Sequence, residues 1–418
     1  MKLNPFFHVA FLVALLLLTA CVHVPDNNLP LDQRSMVIDS PADTDRILAK
    51  ARMVETDDPA VNHIKILYLN GTPYEMGFQH GRLNREDVRA NVKHIVGLAK
   101  RYAHEDIMDE VYDLMAPYIP LEEKAEMRGL AHGAGLPLRV IHWLHCIPEV
   151  SEFGPKERFS KKFKSTLCSN VAAFGKATPD GAIYQLRVLD WIRELGAHRY
   201  PVILVHQPDL GNASVTFSFA GFVGCISGMN EMKMAFGEMG YGDPEGERLE
   251  GIPFVFLFRK LMREADTLAE ATEMIKNARR TCSYVYMISD AKAKTGTYKA
   301  SLFVTDPSRV EIFKDNTRLV DERNPDDVYP AIDDIVYGGA KPEVLYEKLS
   351  EDYGRINVAR LKQTAKAAAL KGNMQNVIFK PETLESWVSH AATTKKDEEG
   401  RACNQKWFYF NFGKALLN

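Results

Sequence analysis

The chain has 418 residues, which is more than one small hydrophobic core needs and suits two cooperating lobes or one large domain. Hydrophobic residues make up 46% and charged residues 26% of it, which excludes collagen-like, low-complexity and disordered chains. The 52 Lys and Arg residues nearly balance the 55 Asp and Glu residues, so no overall basic field exists to attract nucleic acid.

The N-terminus carries the features of an export signal. Lys2 is followed by the apolar run 11–18, which is too short and wrongly flanked for a stable membrane span. The run ends in Leu18-Thr19-Ala20-Cys21, which resembles the lipobox of bacterial lipoproteins, whose signal peptide (here residues 1–20) is removed before a lipid-modified cysteine. The resemblance implies a lipid anchor on Cys21 and a cell-envelope location. Val22 after the cysteine favours the periplasmic face of the outer membrane. The alternative is an ordinary cleaved signal in which Cys21 occurs by coincidence.

The rest of the chain divides into three parts by composition. Residues 21–62 are rich in Pro, Asp and Asn, which is typical of a flexible tether between a lipid and a folded body. Apolar residues then recur at helical three- and four-residue steps, so residues 63–167 are predicted to be a mainly helical segment. After Cys168 the pattern changes to short β-rich runs bounded by Gly, Pro, Asp and Asn, and residues 168–418 form the third part.

The third part alternates blocks of strands with pairs of helices. Strands are predicted near residues 170–174, 183–184, 202–205, 214–219, 283–289, 298–305, 309–313, 375–379 and 384–388, and helices near 253–264, 267–278, 342–350 and 356–371. A hairpin is predicted from residues 223–227 to 232–236, with its turn at Gly228-Met229-Asn230-Glu231. The alternation predicts sheets covered by helices, in an α+β or layered αββα arrangement.

Export changes how the cysteines are interpreted, because disulfides can persist outside the cytoplasm. Five cysteines remain besides Cys21, at positions 146, 168, 225, 282 and 403, and an odd number leaves at least one of them free. His142, His145 and Cys146 fall at helical spacing, but such an isolated group beside a tryptophan is more often packed than a ligand set. Neither a metal nor a cofactor is therefore expected, and the disulfide pairing stays open.

The candidate catalytic residues lie around Cys168. Pro179-Asp180-Gly181 is a turn signal, and strands on either side of it would return Arg187 and Asp190 to the segment that begins with Cys168. A thiol, a guanidinium and a carboxylate would then lie together. The alternative for the cysteine alone is a buried and inert strand residue, since free cysteine is among the most buried residue types.

Two stretches of the chain resemble one group of enzymes. Cys168, a strand, an Asp-Gly turn and then Arg187-x-x-Asp190-Trp191 resemble the start of the mature chain in choloylglycine hydrolases, penicillin V acylases and acyl-coenzyme A:6-aminopenicillanic acid acyltransferases. The stretch from Gly71 to Gly81, GTPYEMGFQHG, resembles the opening motif of the acyltransferase branch, the C45 peptidase-like family. The likeness covers about residues 65–415. It implies the four-layer αββα fold of N-terminal-nucleophile (Ntn) hydrolases, preceded by a mainly helical N-terminal segment.

A cut between Leu167 and Cys168 would supply the base that an ordinary thiol lacks. Cys168 would become N-terminal, and its α-amine, with a pKa of about 7.7–8.0, would take the proton of a thiol whose own pKa is about 8.5. Arg187 would then hold the thiolate or the substrate carbonyl, and Asp190 would orient the α-amine.

The resemblance also points to donors for an oxyanion. It implies an Asn late in the chain, for which Asn324 is the candidate, and a second donor that would fall on Glu238-Met239-Gly240, where only backbone N–H groups are available. The chain departs from its relatives in Leu186-Arg187-Val188, where Gly-Arg-Asn is usual, and in Leu167, where the fungal acyltransferase has Gly. These changes affect the expected rate and specificity and leave the expected fold unchanged.

Three functions remain open from the sequence. The first is an autoproteolytic Ntn cysteine hydrolase or acyltransferase acting on N-acyl amides through an acyl-enzyme at Cys168, with hydrolysis favoured because acyl-coenzyme A is scarce outside the cytoplasm. The second is transfer of an acyl group from a lipid or thioester donor to an amine, which a membrane anchor would assist by raising the local concentration. The third is a non-catalytic envelope lipoprotein that keeps the fold. For the enzymes, the expected partners are a small N-acyl substrate, the membrane through the lipid, and the two chain segments for each other.

Overall fold

The computed structural model describes residues 41–56, 64–101, 104–153, 168–241, 247–294, 298–315, 319–321, 324–394 and 398–417. For residues 41–42, 151–153, 319–321 and 324–329 it describes the backbone alone. Contacts between Cα atoms separate a unit 1–43 from a unit 44–418, and of the first unit only residues 41–43 are described. All the described strands belong to the second unit.

Helices dominate the described chain before residue 154 and occur in pairs after it. The helices are α1 (Pro41–Leu48), α2 (Pro73–Leu83), α3 (Arg85–Ala99), α4 (Glu105–Met115), α5 (Leu121–Ala134), α6 (Leu138–Phe153), α7 (Phe254–Glu264), α8 (Leu268–Asn277), α9 (Pro342–Glu351), α10 (Val358–Ala368) and α11 (Phe412–Ala415). Among the described residues, no helix is both long and apolar enough to cross a membrane.

The strands form a nine-stranded sheet, a six-stranded sheet and a small two-stranded one. The strands are β1 (Arg52–Glu55), β2 (Lys65–Gly71), β3 (Ser169–Gly175), β4 (Gly181–Asp190), β5 (Pro201–Pro208), β6 (Ser214–Phe219), β7 (Ser227–Asn230), β8 (Met234–Gly240), β9 (Tyr284–Asp290), β10 (Ala300–Thr305), β11 (Val310–Phe313), β12 (Leu319–Asp321), β13 (Asn324–Tyr329), β14 (Ile335–Gly339), β15 (Asn373–Lys380), β16 (Glu385–His390) and β17 (Phe408–Asn411). The large sheet has the order β1-β2-β5-β6-β7-β8-β9-β10-β11, and the smaller one β14-β3-β4-β15-β16-β17.

The two large sheets face each other. Between them the side-chain amide of Gln185 on β4 donates to the carbonyl of Met287 on β9, and Gln375 on β15 donates to the carbonyl of Phe217 on β6. Helices α7 and α8 contact the nine-stranded sheet, and α9 and α10 contact the six-stranded sheet. Because side chains alternate between the faces of a strand, both sheets are covered on their two sides and their strands are buried. The predicted α+β, layered αββα fold is confirmed.

The N-terminal segment supplies strands as well as helices. Strand β2 pairs in parallel with β5 over seven residues, from Lys65 opposite Val202 to Gly71 opposite Pro208. Strand β1 pairs with β2 and adds the outermost strand. The described part of the segment 63–167 is therefore mainly helical, with one strand built into the main sheet. This strand pairing joins distant parts of the chain and is not revealed by any local pattern.

The tether predicted for residues 21–62 ends earlier than expected. Its described part contains helix α1, strand β1 and a fully buried side chain, Ile47. Arg46 and Lys50 both form ion pairs with the buried carboxylate of Glu75, at 2.8 and 3.0 Å, which fixes α1 against the start of α2. Few apolar residues and many Pro and Asp residues led to the prediction, but one deeply buried isoleucine and two ion pairs are enough to order this stretch. Residues 21–40 lie outside the described residues.

The hairpin predicted at residues 223–236 exists, but its turn was placed too early. Residues 227–230 are strand β7, and the turn is Glu231-Met232-Lys233, where Lys233 has a φ of 61°. The side-chain oxygen of Asn230 accepts the N–H of Met234, and its amide donates to the carbonyl of Met262. Asn230 therefore braces the strand end against α7, although its type is common in turns.

The motif from Gly71 to Gly81 builds a close helix pair. Thr72 caps α2 and forms a capping box with Glu75, and Pro73 occupies the first helical position. Helix α2 then packs on α5 through glycines from both helices: a Cβ on Gly77 would lie 1.9 Å from the carbonyl oxygen of Glu126, and one on Gly129 would lie 2.0 Å from that of Tyr74. The motif thus serves turn geometry and helix packing.

Candidate active site

A β-hairpin places Cys168 beside Arg187. Strands β3 and β4 pair antiparallel with Asn170 opposite Arg187, so Cys168, one residue before β3, lies at the end of β4 where Asp190 is found. Gly175 and Gly181 take positive φ angles of 55° and 71° at the two ends of the connecting turn. The hairpin predicted from Pro179-Asp180-Gly181 is confirmed, and it brings three of the predicted site residues together.

The thiol of Cys168 is buried between a cation and a carbonyl group. Arg187 is fully buried, and its Nη2 donates to Sγ of Cys168 at 3.5 Å. On its other side the thiol donates to the backbone carbonyl of Asp190, with 3.9 Å between sulfur and oxygen. The carbonyl of Cys168 itself accepts the N–H of Ala340 at 3.2 Å. The cysteine is therefore held from three directions, which fixes the position of its sulfur.

Glu238 completes the site and was missed as a side chain. Its Oε2 accepts Nη2 of Arg187 at 3.0 Å, its backbone carbonyl accepts Nε of Arg187 at 3.2 Å, and the side-chain amide of Asn170 donates to the same carbonyl. Residue 237 has to be glycine, because a Cβ there would lie 2.3 Å from Oδ1 of Asn170 and 3.0 Å from Cγ of Arg187. Glu238 thus neutralises a cation that would otherwise be buried alone.

The family spacing had pointed to residues 238–240, although for their backbone N–H groups and in a loop. In the structure these residues lie on strand β8, and the N–H of Glu238 already donates to the carbonyl of Ile226. The signal for the position was therefore present in the sequence. The role of the side chain was not, because it depends on which face of β8 meets Arg187.

Asp190 is held at one oxygen and open at the other. Its Oδ1 accepts the N–H of Leu370 at 3.0 Å, while its buried Oδ2 has no hydrogen-bond partner among the described residues. The backbone N–H of the next residue, Trp191, donates to the carbonyl of Gly372, which ties the end of β4 to the segment before β15. A buried carboxylate oxygen without a partner is a position at which a donor can be accommodated.

Burial controls the protonation of the site. It raises the pKa of the Cys168 thiol to about 12, against the opposing effect of the Arg187 charge and with a further rise from the Glu238 and Asp190 carboxylates. Burial likewise raises the pKa of Asp190 to about 7 and that of Glu238 to about 7, although Leu370 and Arg187 act in the opposite direction. With this pKa the thiol is protonated at neutral pH, so its sulfur can attack a carbonyl only as the thiol proton is transferred to another group.

An apolar cavity of about 60 Å³ opens at the thiol. Its lining combines the site with aromatic and aliphatic side chains from both parts of the chain: Pro148, Cys168, Leu189, Trp191, Ser218, Phe219, Phe222, Gly224, Ile226, Glu238, Gly240, Phe254, Val255 and Tyr284. Trp191 forms part of the wall of this cavity. Pro148 belongs to α6, so the segment before residue 168 contributes to the cavity as well.

The next residue of α6 fixes that helix against the catalytic sheets. Glu149 is fully buried; its Oε1 accepts the N–H of Phe254 at the start of α7, and its Oε2 accepts the hydroxyl of Thr281 at 2.6 Å. Burial raises the pKa of Glu149 to about 7. These two hydrogen bonds hold Pro148 and Phe254 together at the cavity wall.

The remaining predicted residues are placed only in part. Asn324 begins strand β13, opposite Asp321, and only its backbone is described. Leu167 and the lipidation candidate Cys21 lie outside the described residues. Asn324 therefore stays a sequence-based prediction of an oxyanion donor.

The histidines and cysteines considered for metal binding are packed. His142 stacks on the ring of Tyr112, and His145 bonds to the carbonyl of Ile141 and accepts the N–H of Val223. Within the described ranges no group of three or more His, Cys, Asp or Glu side chains could hold a metal ion. Cys146, Cys168, Cys225, Cys282 and Cys403 are all free and buried.

Comparison with known proteins finds a family likeness in the part of the chain that contains Arg187, Asp190 and Glu238. Residues 177–321 match the family described as acyl-coenzyme A:6-aminopenicillanic acid acyl-transferase. Protein dcd1A of Dictyostelium discoideum is 28% identical over 370 residues, which cover 79% of this chain and 79% of that protein. Protein dcd1B of the same organism is 25% identical over 316 residues, or 69% of this chain and 59% of that protein.

Among solved structures, penicillin V acylase from Agrobacterium tumefaciens superposes with a TM-score of 0.38 at 11% identity, covering 59% of this chain and 87% of that one. The sequence match confirms the predicted likeness to the acyl-coenzyme A:6-aminopenicillanic acid acyltransferases over residues 177–321.

Proposed function

We propose that the protein is an Ntn cysteine amidase that takes acyl groups from N-acyl compounds, with Cys168 as its nucleophile. One observation carries the proposal: Nη2 of Arg187 lies 3.5 Å from Sγ of Cys168 at an apolar cavity. A buried arginine beside a buried thiol stabilises negative charge on the sulfur, or on an oxygen formed next to it, in a site of low dielectric.

The thiol is activated when the bond between Leu167 and Cys168 is cut. Sγ attacks the carbonyl carbon of Leu167, the thiol proton passes to the nitrogen of Cys168, and the C–N bond breaks as a thioester forms. Water then hydrolyses the thioester, which leaves a carboxylate on Leu167 and restores the thiol. The new α-amine has an ordinary pKa of about 7.7–8.0, so it accepts the thiol proton in each later turnover.

The same groups then act on a substrate amide. Sγ attacks the acyl carbonyl, its proton goes through the α-amine to the leaving amine, and an acyl-enzyme remains until water accepts the acyl group. The open Oδ2 of Asp190 is suited to accept a hydrogen bond from the α-ammonium, and Arg187 to hold the developing charge. Asn324 is the proposed further oxyanion donor. The apolar lining fits the hydrocarbon part of an acyl group better than a charged one.

Sheet pairing supports the continued association of the two pieces after the cut. Strand β2, which precedes the cut, pairs with β5, which follows it, and Glu149 bonds across the same boundary to Phe254 and Thr281. The N-terminal piece would thus remain part of the cavity wall as a permanent subunit.

Denaturing mass spectrometry of the wild type beside Cys168→Ala tests the proposal. We expect the wild type to yield a fragment of 251 residues, from Cys168 to Asn418, and the variant to stay whole. Cys225→Ala is the matched control, because Cys225 is also a fully buried thiol but has no hydrogen bond to Arg187. It should be cut like the wild type.

An intact wild type would remove the autocatalytic step and favour the non-catalytic lipoprotein. A cut in Cys168→Ala would assign cleavage to another protease. If the cut is confirmed, product analysis with N-acyl substrates, with and without an added amine, separates hydrolysis from acyl transfer: a new amide that appears only with the amine indicates transfer.

We further propose that the protein is exported and anchored through lipid on Cys21, on the periplasmic face of the outer membrane. The support is the stretch Leu18-Thr19-Ala20-Cys21 after an apolar run. Growth with a labelled fatty acid should label the wild type and leave Cys21→Ala unlabelled, with the variant moving from the membrane to the soluble fraction. Label retained in Cys21→Ala would contradict the anchor and would leave the amidase proposal untouched.

A further inference from the structure

A second concave surface, unrelated to the cavity at Cys168, lies along helix α3. It is a groove of about 540 Å³ between α3 and the segment that leads into α6, and it shares no lining residue with the active-site cavity. Its apolar lining includes Val92 and Val96 from α3 and Leu136 and Val140 from the facing segment. This volume lies within the range of about 300–1,000 Å³ that is usual for small-molecule sites.

The groove passes over a glycine that the fold does not require. Gly97 lies inside α3, has ordinary helical geometry and would meet no atom within 4 Å if it carried a Cβ. Glycine in a helix interior costs about 1 kcal/mol relative to alanine. Elsewhere in the N-terminal helices, Gly77, Gly81, Gly129 and Gly133 are each explained by a backbone contact below 3 Å. Gly97 has no such contact, and a Cβ there would project into the open space of the groove.

The charged residues of the groove all have one sign. Arg89, Lys93 and Lys100 line it, at successive turns of the same face of α3, and no acidic side chain does. Lys100 is paired with Glu105 at 2.6 Å. Arg89 and Lys93 are exposed and form no ion pair with any residue that the structure describes. Two unpaired cations therefore border an apolar floor.

We infer that this groove binds a single anionic amphiphile, a molecule with an acyl chain and a carboxylate or similar head group. The chain would lie on Val92, Val96 and Val140 across the open space at Gly97, and the head group would meet Arg89 and Lys93. Binding there depends neither on Cys168 nor on the proposed amidase activity. Apolar burial supplies affinity, and the two cations supply selection for negative charge.

The neighbouring helix argues for a single molecule and against an anionic membrane surface. Helix α4 flanks the groove on the side of Lys100 and carries five carboxylates: Glu105, Asp106, Asp109, Glu110 and Asp113. Arg139 offsets only part of this charge through its bonds to Asp109. A charged bilayer laid over the groove would also face these carboxylates, whereas one molecule inside the groove meets only its basic edge.

Isothermal titration calorimetry of the full chain with dodecanoate, kept below micelle-forming concentrations, tests the inference. We expect one saturable site in the wild type, and binding at least about tenfold weaker in Gly97→Phe, whose Cβ would meet no atom within 4 Å and whose ring would occupy the groove. Arg89→Gln and Lys93→Gln should each weaken binding severalfold. Arg82→Gln, which removes the same charge from an exposed position of α2 outside the groove, is the control and should bind like the wild type.

Dodecyltrimethylammonium, which has the same chain and the opposite charge, should show no saturable site, and butanoate, which lacks the chain, should bind far more weakly. Equal affinity in Gly97→Phe and the wild type would overturn the inference, as would equal binding of the cationic amphiphile. Binding of phosphatidylglycerol vesicles that Gly97→Phe abolishes, with dodecanoate binding unchanged, would also overturn it in favour of a membrane. Because the charge variants alter exposed side chains only, a folding failure of Gly97→Phe leaves the test intact.

Discussion

The helix pair α2–α5 and the hairpin β3–β4 differ in how closely their atoms are packed and in which polar atoms are paired. At the helix pair, glycines bring two backbones into direct contact, so that nothing can be added: Cβ atoms on Gly81 and Gly133 would lie 2.4 and 2.2 Å from carbonyl oxygens of the other helix. At the start of α2 the polar groups are paired, as in the capping box of Thr72 and Glu75, whereas Nδ1 of His80 and Oε2 of Glu123 are buried without a hydrogen-bond partner among the described residues. Close backbone packing is what distinguishes this region.

The hairpin leaves buried polar atoms unused. Nη1 of Arg187, Oδ2 of Asp190, Oγ of Ser169 and Oδ1 of Asn170 are buried without a hydrogen-bond partner among the described residues. Each such atom costs free energy in the empty site, on the order of 1–3 kcal/mol. The two regions differ in backbone packing and in position: the closely packed helix pair holds the scaffold, whereas the unpaired atoms of the hairpin lie around Cys168, where under the proposed function a new chain end or a substrate would pair with them.

The largest expected effect is the loss of folding in Gly77→Ala. The added methyl group would lie 1.9 Å from the carbonyl oxygen of Glu126, which is backbone and cannot turn away. The helices would have to separate, and we expect a loss of more than about 3 kcal/mol in the free energy of unfolding, or no soluble protein. Urea unfolding followed by circular dichroism measures this. If Gly77→Ala were as stable as the wild type, α2 and α5 could move apart without loss of stability, which would contradict this prediction.

The ion pair between Arg187 and Glu238 predicts an asymmetry between its two single variants. Glu238→Gln leaves Arg187 buried with a charge that it cannot lose, and we expect a cost of about 3 kcal/mol or more. Arg187→Gln should cost less, because the pKa of Glu238, already about 7, can rise further and the carboxyl becomes neutral. Urea unfolding of both variants in the uncut Cys168→Ala chain checks this without interference from processing.

The pH dependence separates the two variants further. Arg187→Gln should gain stability relative to Glu238→Gln as the pH falls from about 8 to 5.5, since only the former contains a group that takes up a proton. Equal losses that do not change with pH would mean that the buried charge is solvated by other means.

The sequence predicted the part of the site that is formed by residues close together in the chain. The turn at Asp180-Gly181 sets the register of β3 and β4, so the meeting of Cys168, Arg187 and Asp190 follows from about twenty residues of sequence. Helices α7 to α10 were also predicted within a few residues, because each has its own apolar periodicity and turn signals, whereas the short α11 was not predicted.

The parts that the sequence did not reveal depend on distant contacts. Glu238 reaches Arg187 only because the two sheets stack face to face, and Glu149 reaches Thr281 across the boundary between the two chain segments. The parallel pairing of β2 with β5 joins residues 65 and 202, which no local pattern encodes. The prediction of a flexible tether, made from composition, was wrong at α1, because the buried side chain of Ile47 anchors this otherwise polar helix.

A smaller effect, of opposite sign, is expected at Asp190. Its carboxyl has a pKa of about 7 when folded and about 3.9 when exposed in the unfolded chain, so between these values the folded state binds more protons. Stability is therefore lost as the pH rises from about 4 to about 7, and above about 7 the full penalty of the ionised, buried carboxylate remains. Asp190→Asn removes this penalty, and in the uncut Cys168→Ala background we expect it to stabilise by roughly 1–3 kcal/mol at pH 8 and by little at pH 4. A gain that is equal at both pH values would place the effect in packing and not in charge.

The smallest effect, and the sharpest contrast with Gly77, is expected for Gly97→Ala. Both glycines lie inside helices, but the methyl group at residue 97 meets no atom within 4 Å, so only the backbone entropy of the unfolded chain changes. We expect the free energy of unfolding to rise by about 1 kcal/mol and the melting temperature by about 1–2 °C in a scanning calorimeter. A destabilised Gly97→Ala would show that the space above α3 is needed by the chain itself. A stabilised Gly97→Ala would mean that glycine at residue 97 lowers the stability of the fold. That cost is expected where an open groove binds a ligand. It is not expected at Gly77, where the contacting backbones leave no space for a side chain.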